Sequence, residues 1–165
     1  MRLARALAVL AASAATMAAG EAPTFQVRLL TPESALKAAQ AALAKCRAQG
    51  YQVAVVIVDR AGVTQAMLRD RLAGPHTVDV ATNKAWTAVS FRTHTRDLER
   101  LTRPGEQMSG LRHVPRFVAI GGGMTVEAGG SLLGGIGVSG APGGDADHAC
   151  AAAGIAAIAE DLELQ

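Results

Sequence analysis

The stretch that decides the fold is Tyr51-Gln52-Val53-Ala54-Val55-Val56-Ile57-Val58, followed by Asp59-Arg60-Ala61-Gly62 and then Val63 to Arg69. The first run is apolar and rich in β-branched residues, which suits a central strand covered on both faces. Asp59 to Gly62 supplies turn chemistry and Val63 to Arg69 a second strand, so the unit is a hairpin. Upstream, Thr31-Pro32-Glu33 combines a capping hydroxyl, Pro at the first helical position and an acid in the first turn. The helix it opens should run to Ala48 and stop at Gly50, burying a stripe through Leu36, Ala39, Leu43 and Cys46.

Downstream, Gly74-Pro75-His76-Thr77 breaks the pattern and opens a helix over 78–91, with Val78, Ala81, Ala85 and Ala88 along one side. A shorter helix over 95–101 ends before Pro104-Gly105, and residues 103–115 read as a loop. Phe117 to Ile120 is predicted as a short third strand. Residues 124–128 and 132–138 flank Gly129-Gly130-Ser131 as a second hairpin. Asp145 or Asp147 is expected to cap a last helix that buries Cys150, Gly154, Ile158 and Leu162. Hairpins with helices grouped between them predict an antiparallel sheet with helical layers, an α+β domain.

Composition bounds the rest. Of 165 residues, 50% are hydrophobic, which excludes a disordered chain, and only 3% are aromatic, so the core must be aliphatic. Residues 1–20 read as a signal peptide: Arg2 and Arg5, an apolar run over 6–15, then Ala18-Ala19-Gly20 before Glu21. The run is too short to span a membrane, and no later segment is long enough. Residues 21–165 form one domain. Removing the leader takes Arg2 and Arg5 from the 16 basic residues, leaving 14 against 14 acidic. That neutrality disfavours nucleic acid as a partner. Cys46 and Cys150 lack CxxC spacing. They either pair between the first and last helices or stay as two buried thiols.

Three constellations have chemical potential. His76, at a helix entrance beside Gly74-Pro75, is placed to meet a ligand, and imidazole binds iron and zinc. Thr77, Lys84 and Trp86 follow it. Lys84 is about two turns away and is expected to share an anionic ligand with His76. The run from Gly134 through Gly140, Gly143 and Gly144 to Asp145 is a Gly-rich strand-to-helix loop able to cradle a carboxylate, or simply a tight turn. It lacks P-loop and dinucleotide spacings, and Ser139 is not in a GxSxG elbow. His76, His94, His113 and His148 show no local zinc spacing. Asp145, Asp147 and His148 read as capping.

Val53 to Gly62, Lys84-Ala85-Trp86-Thr87-Ala88, and Gly135 to Gly144 followed by Asp147 and Cys150 together resemble the GlcG/HbpS family, whose domain also closes PduO-type proteins. The resemblance covers the whole chain after residue 20. It implies a profilin-like fold with a five-stranded antiparallel sheet, homo-oligomers built from dimers, and haem as ligand. The leader matches the secreted, haem-binding branch and a periplasmic or secreted location. The resemblance does not assign the axial ligand; by its position and chemistry His76 is the candidate for the haem iron, and Arg69, Arg71 and Arg92 are candidate partners for the propionates. Storage, delivery or redox sensing of haem would follow. The rivals are haem degradation, enzymatic chemistry on a small carboxylate held by the Gly140 to Gly144 loop and Lys84, and a non-catalytic accessory subunit.

Overall fold

The computed structural model describes residues 22–163, so the leader expected over 1–20 lies outside the described residues. The central strand is β1, Ala54–Asp59, buried along its length until Asp59. It pairs antiparallel with β2, Thr64–Arg69, and on its other side with β4, Ser131–Ser139. Strand β3, Gly123–Ala128, closes the sheet against β4, giving the order β2-β1-β4-β3. Among the described residues five α-helices accompany it, α1 Pro32–Ala48, α2 Thr77–Phe91, α3 Thr95–Leu101, α4 Gly144–Ala156 and α5 Ala159–Glu163, and a 3-10 helix, Ser109–His113, interrupts the segment expected as a loop.

Alternation along β1 explains the two layers. Val55 and Ile57, joined by Ile136 and Val138, face a core completed by Ala38, Ala42 and Ala151 from α1 and α4. Ala54, Val56 and Val58 face the other way, onto Ala81, Ala85 and Val89 of α2. A strand covered on both faces needs the unbroken apolar run found in the sequence. Glycines on β4 let α2 settle onto the sheet, since a Cβ at Gly137 would stand 1.9 Å from the Ala81 carbonyl oxygen. On the opposite layer a Cβ at Gly154 would stand 2.7 Å from the Ala38 carbonyl oxygen, so α1 and α4 touch backbone to backbone. Cys46 and Cys150 are disulfide-bonded across that contact, with Cα atoms 5.6 Å apart. Arg47, at the end of α1, grips the Asp70 carboxylate with two nitrogens at 2.8 and 2.9 Å, just beyond β2.

Three expectations are corrected. The sheet has four strands among the described residues, where the resemblance implies five. Phe117 to Ile120 is the missing strand. Its backbone is used on α2 instead: the Val118 N–H donates to Thr87 Oγ1 at 3.0 Å, and Phe117 packs edge-on against Phe91. The α1 stripe runs through Ala35, Ala38, Ala39, Ala42, Leu43 and Cys46, and Leu36 is exposed. Close approach to α4 favours alanine there, and the longer Leu36 falls outside the contact. The last helix starts at Gly144, with neither Asp145 nor Asp147 capping it, and it breaks after Ala156 before α5 resumes.

Candidate functional site

Helix α2 runs antiparallel to β4, because Gly137 meets Ala81 while Gly135 meets Ala85 and Val89. Its two flanks therefore face different neighbours, and the candidate residues divide between them.

On the β4 side, Lys84 shares the buried face with Ala81, Ala85 and Ala88. Its ammonium donates to Asp147 Oδ2 at 2.7 Å and to the Val138 carbonyl at 3.0 Å. Both side chains are almost fully enclosed, at 2% and 5% exposure. Asp147 Oδ1 accepts from the Ala141 N–H at 2.9 Å. Burial draws the Lys84 pKa down and pushes that of Asp147 up, while each partner opposes the shift in the other. The junction thus ties α2, the end of β4, the glycine loop and α4 into one knot.

That arrangement corrects the carboxylate expectation. The loop and Lys84 do hold a carboxylate, but it is the chain's own Asp147. Lys84 is consequently not free to share an anion with His76. Gly140 adopts φ +129° and Gly143 φ +89°, so both serve the turn. Gly144 abuts the Gly121 backbone, where a Cβ would stand 2.6 Å from the Gly121 nitrogen.

The β2 side of α2 is open. Met67 pairs with Val56 and Arg69 with Ala54, so both side chains point to the α2 layer. Helix α2 lies over β1 and β4, and Met67 stays 48% exposed. Val78, Thr82 and Trp86 recur at four-residue spacing along the facing side of α2. Trp86 reaches the β1–β2 turn, since a Cβ at Gly62 would stand 2.6 Å from its ring. Uncovered β2 beside α2 thus leaves an open trough, with the exposed Met67 on its strand side and Val78 and Trp86 on its helix side. Arg116 stacks on Trp86, its guanidinium 4.7 Å over the ring and its Nε donating to Asn83 Oδ1 at 3.3 Å.

His76 stands at the opposite end of α2 from Trp86, exposed, at the cap position but making no side-chain capping bond. Its ring lies against Gly74, where a Cβ would come within 2.8 Å of it. Thr77 is buried, and its hydroxyl donates to the Gly74 carbonyl at 2.7 Å, so it fixes the turn that presents His76. Arg69 shares this end and donates to the Ala73 carbonyl. Arg92 ends α2 in a left-handed conformation. With about 1.5 Å of rise per residue, the 15 residues of α2 place Arg92 more than 20 Å from His76, too far to serve one ligand with it.

The reading of His148 as capping is also corrected. It packs against His94, with ring centroids 5.9 Å apart. His94 Nδ1 accepts from the Thr125 N–H at 3.3 Å, whereas His148 Nδ1 is enclosed without a partner. Among the described residues no group of three His, Cys, Asp or Glu side chains could hold a metal ion. None of their helices is long and apolar enough to cross a membrane.

Met67 and the role of Asp147 escape the motif reading. For Asp147 a signal exists: it precedes Cys150 and Gly154 at helical spacing and so belongs to the buried stripe. Lys84 lies likewise among Ala81, Ala85 and Ala88. For Met67 no local signal exists, because the layer it faces depends on strand register.

The fold and site define a class: a small antiparallel α+β domain, knotted on one flank of its central helix and open on the other. Residues 30–156 match the family model described as haem degrading protein HbpS-like, and the chain belongs to that family. It is 41% identical to a double mutant of HbpS from Streptomyces reticuli, with a TM-score of 0.77, covering 87% of this chain and 97% of that one. It is 32% identical to the protein in a crystal structure of a PduOC:heme complex, with a TM-score of 0.75, covering 79% of this chain and 95% of that one. The corrinoid adenosyltransferase PduO of Salmonella typhimurium is 40% identical over 98 residues, which span 57% of this chain and 29% of that protein.

Proposed function

We propose that this chain is an exported haem-binding protein whose axial iron ligand is His76. The observation that carries the reading is the open trough beside α2: an exposed imidazole at one end, apolar Met67 and Val78 along it, and Trp86 at the other. These residues fit a planar, largely apolar macrocycle with a metal at its centre. Arg69 and Arg71 near the His76 end suit its carboxylates. The crystallised complex of the PduOC relative with haem supports the same ligand class. Bound haem would supply a redox-active iron, and the chain's own residues would supply its ligation, its apolar cover and its charge balance. Storage, delivery or redox sensing are the roles such binding serves.

Export to a periplasmic or secreted location is supported by the residue 1–20 leader pattern and by the disulfide between α1 and α4, a bond rare in reducing compartments. Homo-oligomers built from dimers are part of the same reading. The family description favours one second reading, haem degradation, and loss of the haem spectrum under turnover with a reductant would distinguish it from stable binding.

The test is a haem titration of protein beginning at Glu21, wild type beside His76→Ala. The expected result is a saturable Soret shift at one haem per protomer, lost or strongly altered in the variant. A shift unchanged in His76→Ala would discard the ligand assignment, and no saturable shift would discard haem.

A further inference from the structure

Residues 22–30 form an extended arm before α1, and three of its side chains stand in solvent: Phe25 is 84% exposed, Val27 42% and Leu29 47%. Spacing of two places all three on one side of an extended chain. The arm is tied to the body at two points. Leu30 is buried, its carbonyl accepts from Gln65 Nε2 at 3.1 Å, and Arg28 lies against Gly129. Phe25, Val27 and Leu29 line an open cleft of about 320 Å³ with Asp59, Arg60 and Ala61 of the β1–β2 turn.

Among the described residues, no backbone N–H or C=O of residues 22–30 bonds to another backbone group. An extended segment with alternating apolar side chains and free ladder groups has the makings of a strand without its partner. The arm's own sequence indicates what that partner is. Antiparallel pairing of two identical arms centred on Val27 sets Phe25 opposite Leu29, Val27 opposite Val27 and Gln26 opposite Arg28. The apolar side becomes a continuous ladder and no like charges meet, since Arg28 is the one charged residue of the arm. Parallel, in-register pairing would set Arg28 on Arg28. Pro23 cannot donate and marks where the ladder ends.

We propose that the arm is an interaction surface for a second copy of this chain, the two arms pairing antiparallel across a two-fold axis at Val27. The proposal rests on the self-association in the reading above and not on haem.

A Val27→Cys variant tests it in protein beginning at Glu21 with the native disulfide intact, read on a non-reducing gel after mild oxidation. Directly opposed residues of an antiparallel pair have Cα atoms about 4.5–5.5 Å apart, within disulfide reach. In Gln26→Cys the new thiols would be about two rungs out of register and beyond that reach. The expected result is a covalent dimer from Val27→Cys and none from Gln26→Cys, with both variants melting like wild type because both positions are exposed. Absence of the Val27→Cys dimer, or equal dimer from both variants, would overturn the proposal. Native oligomers without the crosslink would leave self-association standing and remove the arm from it.

Discussion

The two flanks of α2 reverse the usual distribution of polar and apolar groups. On the β4 side an ammonium and a carboxylate, Lys84 and Asp147, meet at 2.7 Å in near-complete burial. On the β2 side, one strand away, Met67 lies nearly half in solvent beside the Val78 and Trp86 stripe. The buried flank carries the segments by which the family resemblance is visible: the Lys84 helix, the glycine loop, Asp147 and Cys150. Those residues assemble the fold. The open flank carries the proposed haem site: His76 and Trp86, which the sequence motifs mark, and Met67, which none does. The buried junction and the proposed haem site thus lie on different sides of one helix, and perturbing each side should give separable results.

The largest effect is expected at the junction. Asp147→Ala would leave the Lys84 ammonium buried without its counter-charge and the Ala141 N–H without its acceptor. Breaking a buried pair on one side costs about 3–5 kcal/mol. Replacing both partners, as Lys84→Met with Asp147→Leu, should recover a large part of that loss, because neither charge remains. Urea unfolding of the two single variants and the double variant measures the coupling. A double variant as unstable as the sum of the singles would show that the pair is not the unit that holds the flank.

The disulfide comes next. Cys46 and Cys150 are separated by 104 residues, and a bridge of that span is worth about 2–4 kcal/mol, mainly by restricting the unfolded chain. Cys46→Ala with Cys150→Ala should lower the melting temperature while leaving the haem titration of the folded protein unchanged, since the bond lies in the opposite layer from the trough. A weakened titration in the fully folded variant would break the separation of stability from binding.

How much of this the sequence discloses follows from the range of the interactions. The β1–β2 and β3–β4 hairpins and the first three helices are set by local periodicity, turn residues and caps, and all are legible. Phe117 to Ile120 is an apolar run as good as a short strand, yet its backbone bonds to Thr87, some 30 residues away, and no local pattern announces that. The glycine loop is legible as a turn, but that the chain's own Asp147 takes the Lys84 ammonium and the Ala141 N–H depends on how α4 rotates against the sheet. Rotation was partly legible, because Asp147, Cys150 and Gly154 share one helical face. Met67 belongs to the trough only through its register with Val56, and a slip of one residue would send it to the other layer.

A smaller, pH-dependent effect is expected at the His94–His148 pair, next to Asp147 in the chain. Burial, then His94 and Arg96, lower the His148 pKa below its ordinary 6.5, against a weaker pull from Asp97 and Asp145. The folded state therefore binds fewer protons than the unfolded state just below pH 6.5, and stability falls as pH drops through that value toward the folded pKa. Thermal melts between pH 7.5 and 5 should show this slope, and His148→Gln should flatten it. The same slope in the variant would assign the acid sensitivity to another group.

The smallest effect on stability is expected at His76, and it is the sharpest test of the comparison. The side chain is exposed, makes no capping bond to α2, and rests on Gly74, while the turn itself is held by the Thr77 hydroxyl on the Gly74 carbonyl. Nothing in the fold depends on the imidazole, so His76→Ala should alter unfolding free energy by no more than about 0.5 kcal/mol. The trough retains Met67, Val78 and Trp86 in the variant, so an apolar macrocycle can still lie there, but its iron loses a nitrogen ligand. Haem should then bind more weakly and with a displaced Soret maximum, and added imidazole should restore the band. A variant as stable as wild type with an unchanged spectrum would place the iron ligand elsewhere. Loss of both stability and spectrum would show that His76 belongs to the framework, and the open flank would then not be separable from the fold.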